Sequence, residues 1–535
     1  MAAHKSGMVA VRTCAVCLAS LSISLPASSF LHARENGTDT TPTVLPAPGT
    51  EAQIRHLIVM PSPAHIVVAA SADPTTGQPP DPDQSMALDA SIAEAVSPAG
   101  DTSGNMTGQP PAPGRLFGSD DSENLFGRRG GFIHPSLQFR EEWTDNIYNI
   151  DEGRQSNLLT IVSPGIWLGF PRMEEAPLRF TLNNGAIGGH RFLVADSESF
   201  ERFQGYLSTT SELKYYSATT DLNDTAWRVE AFARYNLPAG LSLHVLDSFS
   251  ADRDRFDQGS FPLRESPSGQ QGSPDSPSPS FIRDYTANMV NTALEYSTTD
   301  RYTLNFDYTN FLLAYDDEND WLNRSDNSFT LSLSYHFTPK TSLLAEYSHA
   351  LVSYEEQEVN DSSNTFIYTG LNWKGSSRIS LAAKGGYQTK EFSNSEGTDT
   401  GTFSMEAVFD YLISDKTKIS FSTYKALEET NSLGERGMDT LAAKLRYEQQ
   451  FSYRLRGGCE LHYELNDHAV FSESEPSRAG EPRKDTTYAV RPSIEYLFRD
   501  WLTAELAYAY ETRDSSDNRY NYSTQTIILS LNFAL

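Results

Sequence analysis

The sequence predicts an all-β protein, a transmembrane antiparallel β-barrel of about 18 strands preceded by a disordered N-terminal segment. Apolar and polar residues alternate strictly in a dozen segments from Phe132 onward, the pattern of strands with one apolar face. Many of these segments run for about 12 to 15 residues, whereas strands of globular proteins peak near 5 to 6. The connections alternate between short turns and long polar loops, as they do in bacterial barrels.

The composition fits a wall one residue thick better than a solid core. Hydrophobic residues make up 38% of the 535 residues, yet aromatic residues reach 11%. The apolar side of such a wall faces lipid and its other side faces water. After the N-terminus the chain lacks the roughly 18 consecutive apolar residues that a transmembrane helix needs. A closed barrel is the other structure that spans lipid without leaving backbone groups unpaired.

The N-terminal region is expected to lie outside the barrel. The first 33 residues are typical of a signal peptide, with a basic start, an apolar stretch from Thr13 to Leu25 and a small residue, Ala33, at the cleavage site. Residues 34–130 are rich in Pro, Gly, Ser, Thr and Asp and cannot bury enough apolar surface to offset the entropy of ordering. We therefore expect a disordered periplasmic segment at 34–130 and an outer-membrane barrel at 131–535.

Charge and cysteine content exclude some classes of protein. Cleavage of the signal peptide removes Lys5 and Arg12, which lowers the count of Lys and Arg from 42 to 40 against 70 Asp and Glu, a net charge of about −30. Nucleic acid is excluded as a partner because its phosphates would be repelled. The mature chain keeps one cysteine, Cys459, so there is no internal disulfide framework. We expect Cys459 on the lipid side of a strand.

The predicted number of strands follows from the connections. Eight short turns, eight long loops and one more connection between Pro177 and Leu237 make 17 connections, and therefore 18 strands. That last interval contains three strand-like segments, around residues 178–193, 206–216 and 227–237, where parity permits two. The pattern alone does not identify the segment outside the wall, so 16 and 20 strands stay as alternatives.

The polar face of the strands is expected to line a water-filled lumen, because barrels of 16 to 18 strands leave an aqueous channel unless they are plugged. Charged residues of both signs fall on this face. The alternative is that they form salt-bridged filler that keeps the wall hydrated. The predicted pore-lining residues are Lys384, Glu406, Asp410, Lys444, Arg446, Glu448, Arg454, Arg456, Glu460, His462, Glu464, Arg491, Glu495, Glu505 and Glu511.

Motifs for catalysis or metal binding are missing from the sequence. It contains no His-x-x-Glu-His or Gly-x-Ser-x-Gly motif and no cysteine nucleophile, so an enzyme is not predicted. His462 lies beside Glu460 and Glu464 as strand alternation alone would place it. The acidic run from Asp316 to Asp320 lacks the ligand spacing and central glycine of an EF-hand. We expect a solvated loop there, and no metal or cofactor.

Two segments at the start of the predicted barrel carry a family resemblance. The first, residues 139–148, is acidic and aromatic and contains Thr144-Asp145-Asn146; the second, residues 159–168, contains Ser163-Pro164-Gly165. This pair resembles the opening of a Gram-negative outer-membrane β-barrel porin family that is associated with exopolysaccharide gene clusters. The resemblance implies a passive channel for export of a secreted polysaccharide, and it brings no residue-level site.

One feature departs from the usual outer-membrane pattern. Such barrels end on an aromatic residue that assembly factors read, whereas this chain ends with Ala534-Leu535. We still expect assembly by the outer-membrane assembly machinery. Besides polysaccharide export, two functions stay open: a general diffusion porin for small hydrophilic solutes, and a non-conducting surface scaffold or adhesin. The expected partners are outer-membrane lipid, the polysaccharide or solutes, and periplasmic export components.

Overall fold

The structure is a computed structural model that describes residues 132–171, 178–179, 182–190, 194–195, 202–254, 283–299, 301–316, 320–356, 360–393, 399–430, 435–471 and 483–534. The predicted signal peptide and the segment at 34–130 lie outside the described residues. The strands are β1 Ile133–Thr144, β2 Asn157–Phe170, β3 Leu178–Arg179, β4 Val194–Ala195, β5 Phe203–Tyr216, β6 Asp224–Asn236, β7 Leu241–Asp254, β8 Arg283–Thr299, β9 Tyr302–Tyr315, β10 Arg324–Thr338, β11 Thr341–Tyr354, β12 Ser362–Ser376, β13 Ile379–Phe392, β14 Thr400–Ser414, β15 Thr417–Glu428, β16 Glu435–Gln450, β17 Leu455–Phe471, β18 Lys484–Arg499, β19 Leu502–Ser515 and β20 Tyr522–Ala534.

All strands except β3 and β4 form one closed antiparallel barrel of 18 strands, which confirms the predicted fold class and strand count. Neighbours in sequence are neighbours in the wall, and β2 pairs directly with β5. The Tyr308 hydroxyl on β9 donates to the Asn327 side chain on β10 at 2.8 Å. The ring closes where β1 pairs with β20, with Gln138 opposite Asn532. A closed ring leaves no unpaired strand edge.

The two faces of the wall carry different residue types. On β16, Leu445 and Tyr447 are exposed on the outside, while Lys444, which precedes Leu445, is buried on the other face. That other face is the concave interior, because side chains two strands apart meet there. Lys384 Nζ on β13 lies 2.9 Å from Glu346 Oε1 on β11, across β12. No helix in the described part of the chain is long and apolar enough to cross a membrane.

Aromatic side chains surround the end of the barrel where the connections are short, which we call the short-turn end. Phe337, Phe451, Tyr453, Trp373 and Trp501 are all exposed at or beside these turns. Amphipathic and aromatic rings settle at the level of lipid headgroups. The arrangement is typical of a membrane boundary at the short-turn end.

We call the opposite end of the barrel the long-loop end. In several loops there, an Asn or Asp side chain accepts a hydrogen bond from the backbone N–H at the end of the preceding strand. The backbone N–H of Tyr315 donates to Asn323 Oδ1 at 2.7 Å, and that of Tyr354 donates to Asp361 Oδ1 at 2.7 Å. Tyr216 with Asn223, Phe392 with Asp399 and Ser515 with Asn521 repeat the contact. Asn and Asp favour such turns because their side chains bond to nearby backbone. These contacts fix where the strands end.

The interval between Pro177 and Leu237, which contains one strand-like segment too many, forms β3 and β4 in addition to two strands of the wall. These two short strands pair with each other, Leu178 opposite Ala195, and belong to no other sheet. The segment around residues 178–193 is therefore the one outside the wall, whereas 206–216 and 227–237 fall on β5 and β6. The chain between β2 and β5 is therefore one long connection, although both strands meet it at the short-turn end. We call residues 171–202 the inner segment.

Candidate functional site: a lumen narrowed by an inner segment

The inner segment connects two strands at one end of the barrel, and its described residues 182–190 lie at the other end. It leaves β2 after Phe170 and enters β5 at Phe203, both at the short-turn end. Its described residues 182–190 nevertheless contact the opposite end. Arg324, the first residue of β10 after a long loop, donates from Nη2 to the Ala186 carbonyl at 3.0 Å. Residues 183–189, which we call the tip, therefore lie inside the lumen at the long-loop end.

The tip is an ordered turn with its own hydrogen bonds. The Asn183 side chain accepts, at Oδ1, the backbone N–H of Gly185 at 2.8 Å and that of Ala186 at 3.2 Å. A short 3-10 turn follows at Ile187–Gly189. The backbone N–H of Gly188 donates to Asp326 Oδ2 on β10 at 2.9 Å. The turn is therefore closed on itself and then fastened to the wall.

Gly189 allows the tip to approach the wall closely. Its φ of +77° lies in the left-handed region, which residues with a Cβ adopt at a cost. A Cβ at this position would lie 2.2 Å from Cδ2 of Phe311, which is fully buried on β9. The guanidinium of Arg324 lies 5.4 Å from the centre of the same ring. The backbone of the tip thus lies directly on an aromatic face.

Phe311 belongs to an apolar cluster on the interior side of β5–β9. This departs from the prediction of a lumen that is polar throughout. Leu182 of the inner segment packs against the cluster, which explains how an apolar surface is tolerated inside a water-filled barrel. The buried members are Tyr206, Phe232, Leu246, Ala287, Met289, Phe311 and Leu313.

The other side of the lumen carries half-exposed ion pairs on β16–β19. Arg446 lies 3.1 Å from Glu448 and remains 44% exposed. The guanidinium of Arg456 contacts the Glu495 carboxylate at 3.0 Å. By contrast, Asp326 beneath the tip is fully buried. Water therefore reaches the interior along β16–β19. We call the following residues the charged track: Lys444, Arg446, Glu448, Arg456, Glu460, Arg491, Glu495 and Glu505.

Apart from Arg454, the other predicted pore-lining residues also lie on the interior face and are paired. Lys384 lies 3.2 Å from Glu406 in addition to its contact with Glu346. Asp410 pairs with Lys418 at 3.2 Å. The remaining contacts are His462 with Glu464 at 3.7 Å and Glu511 with the Tyr522 hydroxyl at 2.5 Å. These ion pairs are what the alternative of salt-bridged filler predicts, and they lie on the same face of the wall as the charged track.

Arg454 does not lie on a strand, which corrects the predicted strand boundary. β17 begins at Leu455, and Arg454 is exposed in the preceding turn. The physical reason is Ser452, whose hydroxyl oxygen accepts the backbone N–H of Arg454 at 3.2 Å and that of Leu455 at 3.1 Å. A Ser side chain that bonds to the two following amides favours a turn over a continued ladder.

Cys459 lies on the outer face of the barrel, the face that was expected to meet lipid. Cys459 is a free cysteine on β17 and shares the outer face with the exposed Leu461. Among the described residues there is no group of three or more His, Cys, Asp or Glu side chains that could hold a metal ion. Residues 317–319, in the middle of the acidic run, lie outside the described residues.

The Thr144-Asp145-Asn146 triplet has a structural role at the seam of the barrel. Asn146 is almost fully buried and donates from Nδ2 to the carbonyls of Ile150 at 2.7 Å and Ser523 at 3.0 Å. Asp145 Oδ1 accepts the backbone N–H of Gln525 at 2.7 Å. These contacts join β1 and its loop to β20, so the triplet closes the ring.

Sequence reasoning missed the residues that hold the tip. Arg324, Asp326, Tyr354, Lys390 and Glu429 come from four separate parts of the wall, and alternation alone does not show that they meet. A signal for the tip itself was present: residues 183–189 contain Asn-Gly and Gly-Gly pairs, which mark turns. These pairs lie in the interval between Pro177 and Leu237, which contains three strand-like segments although an even number of strands permits two.

Comparison with protein families gives one match. The model of the family described as putative beta-barrel porin 2 matches residues 193–535. The matched range begins after the Thr144-Asp145-Asn146 and Ser163-Pro164-Gly165 motifs. Comparison with curated proteins gives no match.

Solved outer-membrane porins share the barrel architecture at low similarity. The outer membrane protein OpdK of Pseudomonas aeruginosa is 11% identical, with a TM-score of 0.37, over 75% of this chain and 99% of that chain. A BenF-like porin of Pseudomonas fluorescens Pf-5 is 10% identical, with a TM-score of 0.39, over 76% and 100%. OccK2 (OpdF) of P. aeruginosa, solved in complex with glucuronate, is 10% identical, with a TM-score of 0.39, over 75% and 98%.

Proposed function

This chain belongs to the putative beta-barrel porin 2 family, and from that premise we propose that it is a passive aqueous channel of the outer membrane for small hydrophilic solutes. The charged track carries the proposal, because its ion pairs remain partly exposed to water inside a closed wall. Polar groups that line the interior of a barrel favour diffusion of hydrated solutes. No chemical step is required of any residue.

The balance of charge on the track favours polar solutes of low net charge. Arg446, Arg456 and Arg491 each lie within 3.2 Å of a carboxylate, so a permeating ion meets both signs side by side. Guanidinium groups donate hydrogen bonds and carboxylates accept them, which suits the hydroxyl groups of a sugar. The inner segment reduces the cross-section, which favours small solutes over large ones.

The orientation of the channel follows from its connections. Bacterial barrels place short turns in the periplasm and long loops outside the cell. The tip and its partner Asp326 would then lie near the outer mouth. Residues 34–130, which precede β1 at the short-turn end, would lie in the periplasm.

A second candidate is export of a secreted polysaccharide. It is favoured by the resemblance of Thr144-Asp145-Asn146 and Ser163-Pro164-Gly165 to barrels associated with exopolysaccharide gene clusters. An extended polysaccharide chain is thin and rich in hydroxyl groups, so it could also pass along the charged track. Deletion of the gene separates the two candidates: export predicts loss of surface polysaccharide, whereas the solute channel predicts normal polysaccharide and slower solute uptake.

The refolded barrel should show steady conductance in planar bilayers and a reversal potential near zero in a KCl gradient. Replacing Arg446 and Arg456 with Gln leaves carboxylates unpaired on the track and should shift the reversal potential toward cation selectivity. Arg154→Gln, on the loop after β1, is the matched control and should leave the potential unchanged. Complete absence of conductance would refute the channel and support the surface scaffold.

A further inference from the structure

We propose that Tyr354, Lys390 and Glu429 form a clamp that positions the tip of the inner segment and so sets the width of the bore. This inference rests on the proposed channel function and names the residues that adjust it. The clamp is separate from the charged track, because Lys390 and Glu429 are both 1% exposed, whereas the ion pairs of the track are reached by water.

The side chain of Glu429 is held at both carboxylate oxygens. Lys390 Nζ on β13 donates to Oε1 at 2.5 Å, and the Tyr354 hydroxyl at the end of β11 donates to Oε2 at 2.9 Å. Charge-assisted bonds of this kind are short and directional. Because each oxygen has its own donor, the orientation of Glu429 is fixed relative to two strands of the wall.

The main chain of the same residue holds the tip. The backbone N–H of Glu429 donates to the Gly185 carbonyl at 2.9 Å. On the other side of the tip, β10 provides the bonds from Arg324 to Ala186 and from Gly188 to Asp326. The tip is therefore fastened between β10 and the residue that follows β15. Release of Glu429 would leave the tip attached at one side.

A fully buried ion pair points to positioning rather than to stability. Removing two charges from water costs about as much as their attraction returns, and an apolar pair of the same volume often serves stability equally well. The Lys390–Glu429 pair instead fixes the orientation of Glu429. It holds one backbone N–H at the point where the Gly185 carbonyl needs a donor.

The clamp also links the tip to a surface loop. Glu429 is the first residue after β15, which ends at Glu428, and so it begins the long loop toward β16. Under the proposed orientation this loop faces the outside of the cell.

The test compares single-channel conductance of the full barrel and its clamp variants. Lys390→Met alone leaves an unpaired buried carboxylate that threatens folding, so the double variant Lys390→Met/Glu429→Gln, which removes both charges, is measured beside it. We expect the double variant to conduct at least about twice as much as the wild type, because the freed tip widens the bore. Lys390→Arg should keep wild-type conductance. The control Lys425→Met/Asp439→Asn removes a 2.5 Å ion pair between β15 and β16 that does not bond to the tip, and should change conductance little.

A reversible tether shows whether the change acts through the tip. A Cβ at Gly188 would lie 3.9 Å from that of Ser328, a separation that a disulfide spans. Gly188→Cys and Ser328→Cys are introduced with Cys459→Ser, with and without the double clamp variant. After oxidation, the tethered protein with the double clamp variant should have the same conductance as the tethered protein without it. Reduction of the disulfide should raise the conductance of the clamp variant again. Equal conductance in both backgrounds and both redox states would overturn the clamp. A wild-type barrel that does not conduct would instead refute the proposed function.

Discussion

Gly189→Ala should displace the tip from the wall and raise single-channel conductance severalfold. The new Cβ would lie 2.2 Å from Cδ2 of Phe311, which is buried and cannot move aside without disturbing β9. Overpacking of this kind costs roughly 1–3 kcal/mol. The left-handed φ of +77° adds about 1–2 kcal/mol for any residue with a Cβ. Together these terms come to about 2–5 kcal/mol, which is comparable with the three hydrogen bonds that hold the tip to the wall, at about 1 kcal/mol each.

Gly153→Ala is the control that separates the cost of the left-handed backbone from the cost of the steric overlap. Gly153 has a φ of +75°, but a Cβ there would meet nothing within 4 Å. It therefore carries the backbone cost without the overlap, and its conductance should equal that of the wild type. Conductance is measured in planar bilayers and the size limit by uptake of sugars into liposomes. If Gly189→Ala matched Gly153→Ala in both assays, the tip would not limit the bore.

Leu461→Arg should destabilise the barrel in lipid by about 2–4 kcal/mol, the cost of a charge on the lipid face near the middle of the bilayer. Leu461 is 45% exposed on the outer face of β17, close to the middle of that strand. The neighbouring residue His462 faces the interior beside Glu464. His462→Arg, which also places an arginine at mid-strand, should cost less than about 1 kcal/mol because water and a carboxylate are at hand.

The measurement is reversible unfolding by urea in lipid vesicles, followed by tryptophan fluorescence. Both variants introduce the same side chain on adjacent residues, so strand propensity is matched between them. A large loss for Leu461→Arg with a small loss for His462→Arg would show that the outer face meets lipid. Equal losses would contradict the assignment of the two faces. Conductance of His462→Arg serves as a second readout, since a change in the lumen should alter it.

The lumen is therefore divided into two functional parts. The side formed by β5–β9 carries the apolar cluster around Phe311 and Met289 and is packed by Leu182 of the inner segment. The side formed by β16–β19 carries partly exposed ion pairs such as Arg456 with Glu495. A solute would meet the second side. The side formed by β5–β9 supports the tip, because Gly189 lies directly on the ring of Phe311.

The sequence by itself determined the barrel. A period of two residues assigns each side chain to a face, and turn residues mark the ends, so the faces of residues such as Leu445 and Lys444 followed from local pattern alone. The same pattern gave about 18 strands and left 16 and 20 as alternatives. Arg454 was misplaced by one position because a Ser452 hydroxyl captured two amides, a competition that alternation does not reveal. Boundaries are the least reliable part of any pattern because a single side-chain bond decides them.

The tertiary structure alone decided the interior. An inner segment and a wall strand have similar local sequences. Which of the two a segment forms depends on the closure of the ring and on the apolar cluster inside it, against which Leu182 packs. The clamp joins residues as far apart in sequence as Gly185 and Glu429. Their meeting requires the curvature of the whole barrel, which brings the concave faces of non-adjacent strands within hydrogen-bond distance. A pattern with a period of two residues contains no information about that curvature.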